Sequence, residues 1–268
     1  LFSYFHISCY LCTAFGEKKL PEVKMGMEGT ATVVKHTGSH YLLAQLPSWR
    51  LFPAVLRGKV RLKGSSATNP VAVGDRVEFY AGGELLPDGS VPATEAAPAV
   101  VITTILPRRN YIIRKSVNLS RQAHIIAANV DRAFIIVTLA FPEVKLPFID
   151  RLLVTCEVYG VKPILVLNKI DIVDEFRDDF APALENFHRI YESAGYSILE
   201  VSAKTGRGVE ELRSLCLEKS EDGAPGISLF SGVSGVGKSS LIKAMDPSLN
   251  PKTGLISEAH LQGRHTTT

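Results

Sequence analysis

Apolar residues follow two different rhythms along this chain. From residue 29 to about 106 they come in short runs broken by turn residues: 30–35, 41–46, 51–62 as one or two strands, 71–80 as a turn and a strand, and 99–106. Short β-rich runs of this kind predict a small barrel or sandwich, and five strands in this length fit an OB-type barrel. The stretch 81–98 is rich in Gly, Pro, Ala and acidic residues and reads as a long loop between two strands. After about 130 the rhythm changes. Residues 133–139 form a continuous apolar run, as suits a strand buried on both faces. A helix is expected over 148–159, a strand over 163–167, a helix over 179–194, a strand over 197–201, a helix over 209–218, a strand over 227–231 and a helix from 237 to 245. Such alternation predicts a parallel sheet with helices on both faces.

The predicted organisation is therefore a non-core leader over 1–26, a β-barrel domain over 27–107, a basic connector over 108–128 and an α/β domain over 129–268. The connector carries Arg108, Arg109, Arg114, Lys115 and Arg121. Residue 1 is leucine, and 1–15 are apolar but too short to span a bilayer and lack a basic leading segment. We read this stretch as sequence ahead of a start at Met25 or Met27, disordered or non-native, rather than as a signal peptide.

Composition narrows the class. The 268 residues are 46% hydrophobic and 21% charged, which is globular rather than disordered. A net charge of +3 does not by itself indicate nucleic acid, so any RNA contact requires a local basic patch. Cys9, Cys12, Cys156 and Cys216 are too few for a disulfide scaffold, which fits a reducing, cytoplasmic setting. Cys9 and Cys12 have CxxC spacing, but no second Cys/His pair lies near them to complete a zinc site.

Two motifs carry the chemistry, and their order matters. Gly232, Val233, Ser234, Gly235, Val236, Gly237, Lys238 and Ser239 match the phosphate-binding P-loop, after an apolar strand and before a helix. Glycines let the backbone turn tightly and point N–H groups at phosphates, with the helix N-terminus behind them. Lys238 is expected to reach the β- and γ-phosphates and Ser239 to ligate Mg²⁺, with Ser240 beside them. Asn168, Lys169 and Asp171 form an NKxD element at the end of a strand, where α/β sheets bind ligands. The Asp171 carboxylate can accept two guanine N–H groups that adenine lacks. The Lys169 stem can lie along the base, and Asn168 is placed to tie this loop to the P-loop. Ser202, Ala203 and Lys204 follow the next strand and match an SAK element, which offers a backbone N–H to guanine. In an ordinary small GTPase the P-loop comes first; here NKxD precedes the P-loop lysine by about 70 positions, a few βα units. The GTPase parts run in permuted order. Further on, Gly263, Arg264, His265, Thr266, Thr267 and Thr268 read either as a polar loop or as a switch whose threonine closes on Mg²⁺.

Taken together these residues resemble the RsgA/YjeQ family of circularly permuted GTPases. The resemblance covers about 27–268 and rests on the β-rich N-terminal domain, Asn129 and Asp131, the NKxD, SAK and P-loop elements, and the run from Gly263 to Thr268. It implies an N-terminal OB-fold joined to a permuted P-loop GTPase domain. It also implies a later zinc-binding domain holding Zn²⁺, and GTP hydrolysis stimulated by the small ribosomal subunit. The threonine run is then switch I, with Thr266 or Thr267 completing the Mg²⁺ shell, Thr267 among the catalytic residues with Lys238, and His265 orienting the attacking water. Arg57, Lys59, Arg61 and Lys63 alternate along an expected strand and share one face. A plain solvated face is the ordinary reading; the resemblance makes it a ribosomal RNA contact. The partners implied are the small subunit and its rRNA, with no membrane, and the protein is expected to be a monomer.

The sequence stops before a DxxG element and before the zinc cluster, which we read as a C-terminal truncation. On that reading the strand over 227–231 lacks a neighbour and exposes an edge, the barrel half folds well and the GTPase half poorly, and the fragment is expected to be inactive alone. Three competing readings stay open: a large-subunit type of permuted GTPase, an ATP-dependent P-loop kinase, and a non-catalytic RNA-binding module.

Overall fold

The structure is a computed structural model that describes residues 7–9, 26–37, 40–46, 48, 50–56, 70–82, 100–115, 123–247, 256–257 and 262–263. The chain divides into two compact units, one of residues 17–130 with 221–225, the other of residues 1–16, 131–220 and 226–268. The strands in chain order are β1 (Ile7–Cys9), β2 (Glu28–Thr37), β3 (His40–Gln45), β4 (Arg50–Leu56), β5 (Arg76–Ala81), β6 (Val100–Ile105), β7 (Tyr111–Lys115), β8 (Ala123–Ala128), β9 (Arg132–Val137), β10 (Lys162–Leu167), β11 (Ile198–Glu200), β12 (Ser228–Ser231), β13 (Ile256–Ser257) and β14 (Gln262–Gly263). The helices are α1 (Leu146–Val158), α2 (Ile170–Glu175), α3 (Arg177–Ser193), α4 (Val209–Leu217) and α5 (Lys238–Met245).

In the first unit β2 to β6 close into a barrel of order β2-β3-β4-β6-β5. All the pairings are antiparallel except β4 with β6. This is the five-stranded OB architecture that the short runs predicted. Period-two alternation builds it: along β5, Val77, Phe79 and Ala81 are buried while Arg76, Glu78 and Tyr80 are exposed. The inward residues make one core, in which the Phe52 and Phe79 ring centroids lie 4.8 Å apart with the planes tilted by 58°.

Within the stretch read as a basic connector, Tyr111–Lys115 and Ala123–Ala128 form strands. β7 and β8 pair as an antiparallel ribbon, with Ile112, Ile125 and Ala127 buried. The Ala128 N–H donates to the Val73 carbonyl and the Asn129 side chain to the Gly74 carbonyl, so the ribbon is fastened to the barrel. Its strands are short apolar runs interrupted by Arg114, Lys115 and His124, without the alternation that marks a half-buried strand. Arg108 in turn forms a two-pronged ion pair with the fully buried Asp75, with both contacts at 2.6 Å.

In the second unit β9, β10, β11 and β12 are parallel, in the order β12-β9-β10-β11. β9 and β12 are buried throughout, which explains the apolar run from Ala133 to Val137 in β9, while Arg132, Ser228 and Ser231 are buried polar residues at the strand ends. The expected exposed edge of β12 is covered: β1 pairs with it antiparallel, Ile7 opposite Ser231 and Cys9 opposite Leu229. These residues belong to the segment expected to stay outside the core. The physical reason is general, since an open strand edge offers a row of unpaired N–H and C=O groups to any extended segment nearby. Asp131 braces the entry to β9, accepting from Ser220 Oγ and the Ile227 N–H at 2.6 Å each.

Candidate functional site

Because the four strands are parallel and nearly in register, their C-terminal ends lie along one sheet edge: Val137 is opposite Leu167, Leu167 opposite Glu200, and Ile135 opposite Ser231. The loops leaving those ends are the NKxD, SAK and P-loop segments. Parallel topology therefore brings together three motifs that lie far apart in sequence.

Asn168 is the joint. Its side chain is 2% exposed; Nδ2 donates to the Val236 carbonyl at 2.7 Å, and Oδ1 accepts from the Ala203 N–H at 3.3 Å. One amide thus connects all three loops. Gly237 passes so close that a Cβ there would stand 2.4 Å from Asn168 Nδ2, and its φ of +93° suits glycine alone. At Gly232 a Cβ would stand 2.4 Å from the Ile136 carbonyl oxygen. The spacing of these glycines is thus a packing requirement as well as a loop requirement.

Lys238 opens α5, and its ammonium donates to the Gly232 and Val233 carbonyls at 2.9 and 2.7 Å. Burial lowers its pKa to about 8. A cation held over a glycine-rich turn at a helix N-terminus is the donor set for a phosphate chain. Ser239 sits half-buried in the first turn of α5 and Ser240 is exposed beside it. A lysine ammonium at the head of a helix that follows a glycine-rich turn suits phosphate oxygens, and a hydroxyl in the first helical turn is a suitable ligand for Mg²⁺, so these residues fit both groups.

Asp171 lies in the first turn of α2. Its Oδ1 accepts from the buried Ser202 hydroxyl at 2.6 Å, and its Oδ2 lies 3.9 Å from Lys204 Nζ. Ser202 Oγ also accepts from the Thr205 N–H at 3.2 Å. The SAK serine therefore orients the Asp171 carboxylate while Lys204 stands largely exposed at its rim. Lys169 adopts φ +64°, and its ammonium donates to the Phe141 carbonyl oxygen. Burial lowers the Lys169 pKa, although the Asp171 carboxylate opposes the shift.

Sequence reading missed two features. One is the turn after β9, which receives Lys169; a Phe-Pro pair just beyond a buried strand end was the available signal. The other is Arg207, which pairs with Asp174 and Glu200 at 2.7 Å each and so links α2 to β11 behind the two base-side loops. His265, Thr266 and Thr267 lie outside the described residues, as do Arg57, Lys59, Arg61 and Lys63. Among the described residues no cluster of His, Cys, Asp and Glu could hold a metal ion, and no helix is long and apolar enough to cross a membrane.

Comparison with known proteins agrees with this arrangement. The small ribosomal subunit biogenesis GTPase RsgA of Flavobacterium johnsoniae is 44% identical over 239 residues, covering 89% of this chain and 67% of that protein. The protein of the same name from Porphyromonas gingivalis is 43% identical over 236 residues, covering 88% and 68%. The crystal structure of YjeQ from Thermotoga maritima superposes with a TM-score of 0.61 at 30% identity, over 84% of this chain and 68% of that one. YloQ, a circularly permuted GTPase, shares the fold with a TM-score of 0.55 at 22% identity, over 83% and 66%. The family model for the RsgA GTPase matches residues 105–268, which is more than half of the sequence. With the permuted motif order, the barrel ahead of it and these matches, the chain belongs to the RsgA GTPase family, whose members hydrolyse GTP.

Proposed function

We propose that this chain binds and hydrolyses GTP as an assembly factor of the small ribosomal subunit, in the cytoplasm, with its barrel domain contacting ribosomal RNA. The observation that carries the nucleotide part is the Asn168 side chain, which joins the base-side loops to the phosphate-side loop. Asp171, oriented by Ser202, selects guanine by accepting its N1–H and amino group. A backbone N–H of the Ser202–Lys204 element donates to the base, which for Ala203 requires release of its 3.3 Å contact with Asn168 Oδ1. Lys169 and Lys204 flank the purine. The turn from Gly232 to Gly237 supplies N–H donors to the phosphates, and Lys238 neutralises charge that builds up as the terminal phosphoryl group leaves.

Ser239 and one of Thr266 or Thr267 are the residues we assign to Mg²⁺. Held there, Mg²⁺ would supply charge neutralisation at the phosphates. His265, next to those threonines, orients the attacking water. Arg57, Lys59, Arg61 and Lys63 follow the strand β4 in sequence and supply the phosphate-neutralising contacts to RNA. The chain's relatives in Flavobacterium johnsoniae and Porphyromonas gingivalis are small ribosomal subunit biogenesis GTPases, which supports the small-subunit assignment.

The test is GTP turnover by the full-length protein with purified small or large subunits. A large rise with small subunits alone is expected. Turnover indifferent to both would leave a GTPase without this partner. An ATP preference would return the chain to the kinase reading.

A further inference from the structure

We propose that the turn over residues 139–143 is a further element of the base site, and that Phe141 is a positioning residue that holds Lys169 through its backbone carbonyl. The inference rests on the guanine reading of the NKxD loop. Among the described residues only Asn129, Phe141 and Lys169 combine a side chain with positive φ, and Asn129 lies in the other unit. Phe141 has φ +51° and Lys169 φ +64°, both in the left-handed region that a Cβ disfavours. The two strained residues meet, since Lys169 Nζ donates to the Phe141 carbonyl oxygen. Strain on both sides of one contact persists only where the surroundings impose it, and such places gather at functional sites.

The surroundings are visible. Thr138 follows β9 directly and is 1% exposed; its hydroxyl donates to the Pro142 carbonyl, and its own carbonyl accepts from the Val144 N–H at 3.0 Å. One residue earlier, the Val137 carbonyl accepts from the Asn168 N–H at 2.8 Å. The turn and the NKxD loop are therefore mounted on neighbouring strand ends. Phe141 is 43% exposed, so burial of its side chain does not explain its strained backbone. The carbonyl does: it fixes the tip of a flexible four-carbon side chain. A lysine held at both ends presents its stem as a flat apolar shelf for a purine face. Partial burial of the ammonium, which lowers its pKa, makes a fixed acceptor more valuable there.

The test is titration of fluorescently labelled GDP into the full chain and its variants, with thermal unfolding followed alongside. Phe141→Pro forces φ to about −65° and swings the carbonyl away. It should weaken GDP about tenfold, the scale of a lost hydrogen bond to a charged group. Phe141→Asn, which tolerates the left-handed region, should recover most of that loss. In a Lys169→Ala background Phe141→Pro should cost no further affinity, because the two act through one contact. Equal loss with and without Lys169, or Asn weakening binding as much as Pro, would overturn the inference and leave the base site intact. No GDP binding by the wild-type chain would overturn the base-site reading itself and this inference with it.

Discussion

The Asn168 side-chain amide donates to the Val236 carbonyl at 2.7 Å across 68 positions of sequence. It also receives the Ala203 N–H, so its removal leaves the buried Val236 carbonyl and the half-buried Ala203 N–H without this partner. Asn168→Ala should destabilise the second unit by about 1–3 kcal/mol and weaken guanine nucleotides at the same time. Gly237→Ala should produce the same pair of effects from the other side, because its Cβ would press on Asn168 Nδ2. Thermal unfolding and GDP titration of both variants check this, and loss of binding with unchanged stability would contradict it.

Asp171 tests base selection. Asp171→Asn replaces an acceptor pair by one acceptor and one donor. Preference should move from guanine toward xanthine nucleotides, whose position 2 carries a carbonyl instead of an amino group. Competition between GDP and XDP measures the exchange. A variant that keeps its guanine preference would place the base elsewhere.

Lys238 gives the nucleotide site a pH dependence. Burial lowers its pKa to about 8, so it is mostly charged below that value and mostly neutral above it. Phosphates favour the charged form, so binding above pH 8 must take up a proton. Affinity should be level below about pH 7 and fall by up to tenfold per pH unit above 8. Lys238→Arg keeps its charge across this range and should lose the slope in whatever binding it retains.

His188 lies on α3 between Glu192 and Glu200, at 2.8 and 3.0 Å. Burial acts to lower its pKa, but the hydrogen bonds and charges of the two glutamates prevail and raise it above 6.5. A raised pKa in the folded state means that this stabilisation is complete below pH 6.5 and is lost as pH rises through the folded value. His188→Gln should therefore destabilise the protein at pH 5.5 more than at pH 8.5, as measured by urea unfolding at the two pH values.

The barrel unit has its own test. Arg108 holds buried Asp75 with two 2.6 Å contacts and also donates to the Pro70 carbonyl at 2.9 Å. Asp75 Oδ2 in turn accepts from the Ala72 N–H at 2.8 Å. Arg108→Leu leaves a carboxylate buried without its partner and should cost about 3–5 kcal/mol. Urea unfolding followed by probes in each unit should show the loss in the barrel.

How much of this was legible in sequence depends on the range of the interaction. Alternation at Val77, Phe79 and Ala81 marks a half-buried strand because side chains alternate by geometry, whatever the partner. The unbroken run of β9 likewise announces a strand covered on both faces. Motif chemistry is local too: Gly237, Lys238, Ser239 and the Asn168 to Asp171 element are recognisable from residue type and spacing. The ribbon of β7 and β8 was not legible, because its short apolar runs show no period-two alternation and its order comes from pairing and attachment to Val73 and Gly74.

The sequence by itself determined the two rhythms, the permuted order of the GTPase motifs and the residue types at the base and phosphate positions. Tertiary structure alone decided which strands became neighbours, that β1 covers the edge of β12, that Asn168 also receives the Ala203 N–H of a third loop, and that a phenylalanine carbonyl receives Lys169. The reason is physical. Periodicity and turn chemistry are set within a few residues, whereas strand order and loop-to-loop hydrogen bonds arise only when distant segments share one sheet edge.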